Sequence, residues 1–247
     1  MDTVTLEREG EIAWLRMNRP EALNAFDQPM VDAMLARLAD LAADRTARAA
    51  ILIGEGRSFS TGIDLKALGA QTLSVEWFRA WQRVIVALEQ LEIPLVIGVR
   101  GNCLGGGLMM LLTGDYRIAG DDLRTGLSAV KYGIIPGSAT YRLAAAIGTL
   151  NARRLCLFTE FVDAPEAFRL GLVDRVVPAA QVTEVARETA QRVTRFSRTA
   201  LKETKRLLAQ AASLDLAGFE RAYLEAQQRC LDAGDVKPWN KLDHHKD

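Results

Sequence analysis

Three consecutive glycines, Gly105 to Gly107, lie between two apolar runs of the sequence. The run before them, 95–99, predicts a buried strand, and the residues from Gly106 onward predict a helix. Unpaired backbone N–H groups at the start of a helix attract negative charge, whether a phosphate or an oxyanion that forms during a reaction. A tight turn that needs glycine only for its backbone dihedrals would use the same residues. Both interpretations stay open at this point.

Cys103 precedes these glycines and is a candidate nucleophile. A cysteine nucleophile is commonly activated by a histidine, but the two histidines of the chain are His244 and His245, near its C-terminal end. We therefore predict a small buried thiol at this position. Three widely spaced cysteines without a Cys-x-x-Cys pair predict no zinc site and are typical of reduced thiols in the cytosol.

A second loop, 54–66, is rich in glycine and in small hydroxyl residues, and it follows an apolar run at 49–53. Such a loop leaves backbone amides that a ligand could reach. The residues responsible are Gly54, Gly56, Ser58, Ser60, Thr61 and Gly62.

The elements that must position these loops alternate between strands and helices. The pattern predicts a hairpin from 3–8 and 11–17, strands at 49–53, 95–99 and 115–119, and helices at 28–43, around 77–88 and at 106–113. Residues 126–137 are irregular, and the pattern is then helical to about residue 232, with breaks at Gly148, Gly171, Pro178 and Ser213. Alternation of this kind predicts one α/β domain with a parallel sheet and a helical extension.

Composition narrows the classes of function. The 247 residues are 49% hydrophobic and 25% charged, which is typical of a globular protein. Lys and Arg together number 31, as do Asp and Glu, so the sequence predicts neither nucleic-acid binding nor attraction to an anionic membrane. No secretory signal precedes the first strand, and no apolar run reaches the roughly 20 residues of a membrane span. We therefore expect a cytoplasmic protein.

Five segments occur together in this sequence, and their residues are Asn-Arg-Pro-Glu-Ala-Leu-Asn-Ala at 18–25, Phe-Ser-Thr-Gly-Ile-Asp-Leu-Lys at 59–66, the run 94–107, Gly-Ile-Ile-Pro-Gly at 133–137 and Ala-Phe-Arg-Leu-Gly-Leu-Val at 167–173. By their order and spacing the sequence resembles the crotonase superfamily, also called the enoyl-CoA hydratase/isomerase family. The five segments span nearly the whole chain.

The resemblance implies an α/β fold with a spiral of ββα units in a core at 1–195. It also implies a C-terminal helical region at 196–247 that packs on the core or on a neighbouring subunit in a homotrimer or a dimer of trimers. The implied ligand is an acyl-CoA thioester, with no cofactor apart from the coenzyme A of the substrate. Two backbone N–H groups hold the thioester oxygen in this family, and they correspond here to Ile63 and Gly106.

The resemblance also implies that coenzyme A lies along the loop that carries Thr61, Asp64, Leu65 and Lys66, with Ala22 and Leu23 nearby. Lys66 is a candidate partner for a phosphate of coenzyme A, although a lone lysine after a loop is commonly just solvated. Glu21 stands where some relatives carry a basic residue. Asp64 could be a catalytic carboxylate, but the resemblance favours a role in fixing the loop through local backbone amides.

The sequence departs from the family where its chemistry is done. Hydratases of the family use two glutamates to add water, and Met109 and Ala129 occupy the corresponding positions, where they contribute to substrate binding only. Neither side chain can transfer a proton, so isomerase- or decarboxylase-type chemistry is favoured over hydration. Some isomerases use an aspartate near the Pro-Gly turn, where Gly137 and Ser138 stand here.

Other polar residues are candidates for the acyl site, and they are Glu76, Arg83, Ser128, Lys131, Tyr132, Ser138, Thr140 and Tyr141. We single out Tyr141 as a tentative catalytic residue, because some decarboxylases of the superfamily use a tyrosine in this region. Packing on its own helix is the structural alternative for Tyr141. A second function also remains open, namely a family member that binds fatty acyl-CoA without turning it over. RNA binding has precedent among relatives, but this balanced sequence contains no basic patch.

Overall fold

The computed structural model describes residues 2–69 and 74–236 of the chain. Its strands are β1 (Val4–Glu9), β2 (Ile12–Met17), β3 (Ala49–Gly54), β4 (Leu95–Val99), β5 (Asn102–Leu104), β6 (Tyr116–Gly120), β7 (Arg124–Gly126), β8 (Phe161–Asp163) and β9 (Arg175–Val177). Its α-helices are α1 (Gln28–Ala43), α2 (Leu65–Gly69), α3 (Val75–Glu89), α4 (Gly106–Leu111), α5 (Ala139–Leu157), α6 (Ala164–Arg169), α7 (Val182–Thr194), α8 (Arg198–Gln210) and α9 (Leu216–Asp232). Within the described ranges, no helix is both long and apolar enough to cross a membrane.

The main sheet has six strands in the order β1-β2-β3-β4-β6-β9. β1 and β2 form the predicted antiparallel hairpin, and the remaining neighbours pair in parallel. Every residue of β3 and β4 is buried, because helices cover both faces of the sheet. Apolar residues of α1 and α3 pack on one face, and those of α7 pack on the other. This arrangement confirms the predicted α/β core with a parallel sheet.

A second sheet of three short strands, in the order β5-β7-β8, stands beside the main one. None of its strands is in the sequence prediction, which placed only a glycine turn at β5 and a largely helical pattern, with breaks at Gly171 and Pro178, across β8 and β9. Those parts of the prediction are wrong for a physical reason. Each of these strands has three residues, too few for alternation to show, and each is stabilised by partners far away in the chain.

The C-terminal part is otherwise helical, as predicted. Gly148 has a φ of 77° and interrupts α5, which confirms the predicted break there. Helices α8 and α9 pack against each other, and the carboxylate of Glu203 on α8 accepts a hydrogen bond from Arg229 on α9 at 3.0 Å. Whether residues 196–247 mediate assembly stays a prediction.

Asn24 ties two loops of the core together. It is fully buried, and its side-chain amide donates to the carbonyl oxygens of Glu55, Ser58 and Phe59 at 2.9 to 3.1 Å. Its side-chain oxygen accepts the backbone N–H of Arg19 at 2.8 Å. A single side chain therefore satisfies four backbone groups that would otherwise be buried without partners.

We expect Asn24→Ala to lower the free energy of unfolding by about 3 kcal/mol, because several buried polar groups lose their partner at once. Urea denaturation followed by circular dichroism measures this change. The matched control is Gln228→Ala, which removes an exposed side chain that donates a hydrogen bond to Asp232 one turn away and should cost less than about 0.5 kcal/mol. Equal losses in the two variants would contradict the role of Asn24.

Candidate active site

A cavity of about 240 Å³ lies between α3, α4 and the segment 127–137. This volume is slightly below the range of about 300 to 1,000 Å³ that is usual for small-molecule sites, so the cavity fits a short chain of atoms. Loop residues Thr61, Ile63 and Leu65 form one side, Phe78, Trp81 and Gln82 of α3 form the next, and Gly105, Gly106 and Met109 form a third. The remaining wall consists of Leu127, Ser128, Ala129, Tyr132 and residues 134–137.

Backbone pairing between Ser60 and strand β5 holds the two glycine-rich segments together. The N–H of Ser60 donates to the carbonyl of Asn102 at 3.1 Å, and the N–H of Leu104 donates to the carbonyl of Ser60 at 2.9 Å. The hydroxyl of Ser60 donates to the carbonyl of Asn24 at 2.8 Å and accepts the N–H of Gly62 at 3.1 Å. The loop after Ser60 is thereby fixed in register with the start of α4.

The backbones of Gly62 and Gly106 are in direct contact as a result. A Cβ atom built on Gly62 would lie 2.6 Å from the backbone nitrogen of Gly106, and Gly62 has a φ of 83°. Gly107 is packed as closely, because a Cβ there would lie 2.6 Å from the carbonyl oxygen of Ser60. Glycine is therefore required for the close approach as well as for the turn.

Ile63 and Gly106 both line the cavity. The backbone N–H of Phe26 donates to the carbonyl of Gly62, and the carbonyl of Phe26 accepts the N–H of Asp64. The N–H of Ile63, which lies between these two residues, takes no part in this pairing. Among residues 2–69 and 74–236, neither of the two amides has a hydrogen-bond acceptor. Gly106 is the first residue of α4, where the amide has no acceptor within the helix. Two adjacent unpaired donors of this kind can stabilise an oxyanion.

Met109 follows Gly106 by three residues, so the two lie on the same side of α4. Its side chain is buried, and its sulfur accepts a hydrogen bond from the indole N–H of Trp81 at 3.5 Å. Trp81 is held in turn by the rings of Phe26 and Trp77, with centroid distances of 4.7 and 6.2 Å. The thioether therefore has a fixed position in the wall, and it is not a proton donor or base.

Four polar side chains face the cavity, those of Thr61, Gln82, Ser128 and Tyr132. Within the described part of the chain, the wall contains no carboxylate, lysine, arginine, histidine or cysteine. It therefore offers neutral donors and acceptors and no strong base. The same described residues contain no group of three or more His, Cys, Asp or Glu side chains that could hold a metal ion.

Gln82 was absent from the sequence prediction, although a signal existed. It lies one turn after Phe78 and next to Trp81, within the face of α3 that also carries Ile85. A glutamine on a face otherwise occupied by apolar residues at helical spacing is a candidate for a specific polar contact. The prediction considered only Glu76 and Arg83 from this helix, and both are exposed outside the cavity wall.

Most of the residues predicted for the acyl site do line the cavity, namely Thr61, Ile63, Leu65, Gly106, Met109 and Ala129. Ala22 and Leu23 lie beside the loop, where the carbonyl of Leu23 accepts the N–H of Thr61 at 3.1 Å. Lys66 is exposed at the start of α2 and lies outside the cavity wall.

Tyr141 is not among the residues that line the cavity, and the catalytic role suggested for it stays a prediction. Its side chain is 75% exposed on the first turn of α5 and lines a separate groove, beside β4 and α8, of about 860 Å³. Helix α5 begins at Ala139, two residues after the wall residue Gly137. Of the other polar candidates, Ser128 and Tyr132 line the cavity, whereas Lys131 lies 5.8 Å from the ring centre of Phe161.

Cys103 is fully buried in β5, as predicted. Burial strongly raises the pKa of its thiol, although a hydrogen bond with Thr125 lowers it slightly. A thiol of this kind stays protonated at neutral pH and is not a nucleophile.

Asp64 makes the contacts of a residue that fixes the loop. One carboxylate oxygen accepts the N–H of Lys66 at 2.9 Å, and the other accepts a hydrogen bond from Arg19 at 3.0 Å. The same guanidinium donates to the carbonyl of Ala25 and contacts Asp27. Burial raises the pKa of Asp64, but the hydrogen bonds from Lys66 and Arg19 outweigh it and hold the pKa below its usual value.

The chain is similar to known proteins in both sequence and structure. The sequence matches the model of the enoyl-CoA hydratase/isomerase family over residues 7–237. A short-chain-enoyl-CoA hydratase of Clostridium acetobutylicum is 32% identical over 241 residues, which are 96% of this chain and 92% of that protein. The crystal structure of an enoyl-CoA hydratase from Bacillus anthracis superposes with a TM-score of 0.87 and 26% identity, covering 93% of this chain and 91% of that one.

An enoyl-CoA hydratase from Mycobacterium smegmatis superposes with a TM-score of 0.85 and 26% identity, covering 96% of this chain and 92% of that one. These matches extend over both the sheet and the helical C-terminal part. They confirm the crotonase-like α/β fold expected from the five sequence segments.

We expect Asp64→Asn to lower the free energy of unfolding by about 2 kcal/mol at pH 7, because a charge-assisted contact with Arg19 is weakened. The folded-state pKa of Asp64 is lowered, so its contribution is present above the usual pKa and is lost as pH falls through the folded value. The stability difference between wild type and Asp64→Asn should therefore shrink as pH falls below about 4.

Urea denaturation at several pH values measures this difference. The control is Asp232→Asn, because the exposed carboxylate of Asp232 accepts a hydrogen bond from the neutral side chain of Gln228, and this variant should show no such trend. A difference between wild type and Asp64→Asn that stays constant down to pH 3 would contradict the assignment.

Proposed function

Because the chain belongs to the enoyl-CoA hydratase/isomerase family, we propose that its cavity takes the acyl group of an acyl-CoA thioester. In this proposal the amides of Ile63 and Gly106 hold the thioester oxygen. The proposal rests on one observation above all, the two adjacent and unpaired amides at the cavity wall. A reaction through an enolate places negative charge on that oxygen, and fixed amide dipoles stabilise the charge without reorganising.

The reaction is one other than hydration. Addition of water across a double bond needs a base to activate the water and an acid to protonate the carbon. Met109 and Ala129 lie in the wall where a carboxylate pair would serve, and the described wall contains no carboxylate. The reactions that remain are isomerisation and decarboxylation of an acyl-CoA thioester. Decarboxylation requires fewer catalytic groups, because its enolate forms without a base.

A second candidate function is binding of fatty acyl-CoA without turnover. The observation in its favour is the mainly apolar wall around Met109, where Phe78, Leu127 and Ile134 would contact an alkyl chain. Enolate stabilisation is the stronger candidate, because a carrier has no need of two unpaired amides held at one point.

The rest of the coenzyme would lie outside the cavity, along the loop beside Ala22, Leu23, Leu65 and Lys66. Leu65 is 52% exposed at the start of α2, as suits a residue that covers a bound pantetheine chain. The ammonium of Lys66 would meet a phosphate of coenzyme A. Asp64 would support this surface by holding the loop to Arg19.

A homotrimer or a dimer of trimers is the proposed assembly. Apolar side chains are exposed on α8 and α9, and they are Leu208, Leu216, Leu224 and Leu231. Burial of such side chains against a second copy of the chain would stabilise the assembly. Light scattering after size-exclusion chromatography measures the mass directly. The cytoplasm is the proposed location.

Incubation with crotonyl-, 3-enoyl- and malonyl-type CoA esters, followed by mass spectrometry, tests the reaction. We expect an isomerised or decarboxylated product and little hydration of crotonyl-CoA. Tight binding without product from any ester would instead support the carrier function, and absence of binding to every ester would contradict the site itself.

Gly106→Pro tests the amide of Gly106 by removing its N–H, and proline is compatible with the first position of a helix. The matched control is Gly106→Ala, since both variants add a Cβ that would lie 2.8 Å from the Trp81 ring but only one loses the donor. We expect kcat of the proline variant to fall about 100-fold or more below that of the alanine variant. Equal kcat values would exclude Gly106 from the oxyanion hole.

The double variant Met109→Glu with Ala129→Glu should gain measurable hydration of crotonyl-CoA, because both positions line the cavity and together they provide a base and an acid. Formation of 3-hydroxybutyryl-CoA is the readout, and each single variant is a control expected to be much less active. A folded double variant that binds crotonyl-CoA and stays inert would contradict the alignment of these two positions.

A further inference from the structure

The side chain of Met109 reaches from one wall of the cavity to the other. It is 5% exposed, and its sulfur lies 3.5 Å from the indole nitrogen of Trp81 on α3. On the opposite side, its terminal methyl group lies 3.4 Å from the position that a Cβ atom of Gly137 would occupy. Met109 therefore spans the space between α3 and the turn that contains Gly137.

Trp81 links this side chain to the amide of Gly106. A Cβ atom built on Gly106 would lie 2.8 Å from Cζ2 of the indole ring, so the edge of the ring that carries the N–H lies beside both Gly106 and Met109. The two residues are three positions apart on α4, which corresponds to about 4.5 Å along the helix axis. A ligand whose oxygen is held at Gly106 therefore meets Met109 after a short chain of atoms.

A methionine side chain has several rotatable bonds and could move aside for a longer ligand, but Trp81 opposes this movement. The indole ring is 4% exposed and is held between the rings of Phe26 and Trp77, at centroid distances of 4.7 and 6.2 Å. Within the described ranges, the sulfur of Met109 is the only acceptor for the N–H of Trp81.

The surroundings of Trp81 offer no spare acceptor. The indole N–H of Trp77, which stacks on Trp81, is itself buried without a hydrogen-bond partner among the described residues. Displacement of Met109 would thus leave a second buried N–H unpaired, and an apolar ligand atom could not replace the sulfur as acceptor. The weak hydrogen bond to the thioether therefore holds Met109 in place.

The volume of the cavity gives the size of the group that fits in front of Met109. About 240 Å³ holds roughly eight non-hydrogen atoms, if each takes about the 30 Å³ of a molecule in liquid water. The sulfur and oxygen of a thioester would use two of them, so about six carbons remain.

We propose that Met109, held by Trp81, determines the length of the acyl group and limits it to about six carbons. The inference rests on the proposed function, because it assumes that a thioester oxygen is held at Ile63 and Gly106. A longer chain must push the thioether away from Trp81, and the unpaired N–H then opposes the gain from the added methylene groups. The end of a short acyl chain instead packs against the thioether without moving it.

Isothermal titration of the full-length protein with free CoA and with butyryl-, hexanoyl-, octanoyl- and decanoyl-CoA tests the proposal. These saturated esters have neither a double bond to isomerise nor a carboxylate to lose, so binding is measured without turnover. In an unobstructed apolar site each methylene group would raise the affinity about fourfold. For wild type we expect the affinity to rise up to hexanoyl-CoA, and octanoyl-CoA to bind about 10-fold more weakly than hexanoyl-CoA.

Met109→Ala removes Cγ, Sδ and Cε of this side chain and makes their volume available to the ligand. We expect the tightest binding to shift by about two carbons, so that octanoyl-CoA binds more tightly than hexanoyl-CoA.

Trp81→Phe tests the hydrogen bond, because it keeps an aromatic ring and lacks the N–H. Movement of Met109 then leaves no donor unpaired at position 81, and the ratio of octanoyl- to hexanoyl-CoA affinity should rise about fivefold or more.

Met110→Leu is the matched control. Met110 follows Met109 on α4, is fully buried and is not among the residues that line the cavity, so this ratio should equal that of wild type. The ratio is used because a general loss of affinity or of folded protein does not change it. If Met109→Ala does not fold, then the ratio in Trp81→Phe decides.

The outcomes separate the proposed function from the role of Met109. If no acyl-CoA binds more tightly than free CoA, then the proposed function fails and the inference with it. If the affinity of wild type instead rises steadily from butyryl- to decanoyl-CoA, then acyl-CoA binding stands and the length limit is overturned. A wild type that rejects octanoyl-CoA, together with variants at 109 and 81 that reject it equally, would assign the limit to another part of the wall.

Discussion

Pairing of Ser60 with strand β5 is the interaction on which the rest of this site depends. It joins a loop after β3 to a strand after β4 through two backbone hydrogen bonds, and it brings Gly62 against Gly106. Contact at this distance is possible because neither residue has a Cβ atom. The contact brings the amides of Ile63 and Gly106 close together. Both amides lack an acceptor among the described residues, because Phe26 pairs with the residues on either side of Ile63 and because Gly106 is in the first turn of α4.

The pairing is supported by buried polar contacts that come from elsewhere in the chain. Asn24 holds the backbone just before Ser60, and Arg19 holds Asp64 just after it. Each contact satisfies groups that would be costly to leave unpaired, so the loop has little freedom to move the Ile63 amide. Rigidity of this kind suits an oxyanion hole, because its dipoles must be in place before charge develops. Asn24 and Arg19, both in the segment 18–25, thus hold the loop that carries Ile63, although no residue of this segment lines the cavity.

Within the described ranges, the cavity combines two adjacent amides without acceptors, those of Ile63 and Gly106, with a wall that contains no base. The sulfur of Met109, which lines this cavity, accepts a hydrogen bond from Trp81 and cannot transfer a proton. Such a site favours reactions in which charge arrives at the thioester oxygen without removal of a proton by the protein.

Helices α1 and α3 and the strands β3 and β4 were determined by the sequence, because their apolar periodicity and capping residues are local properties. The five segments in register also identified the family and the positions of Ile63 and Gly106. Only the tertiary structure revealed the short strands β5, β7, β8 and β9, the place of Gln82 in the cavity and the exclusion of Tyr141 from it. These features depend on pairing between residues distant in the chain and on the direction in which a helix leaves a turn, and neither leaves a periodic signal in the sequence.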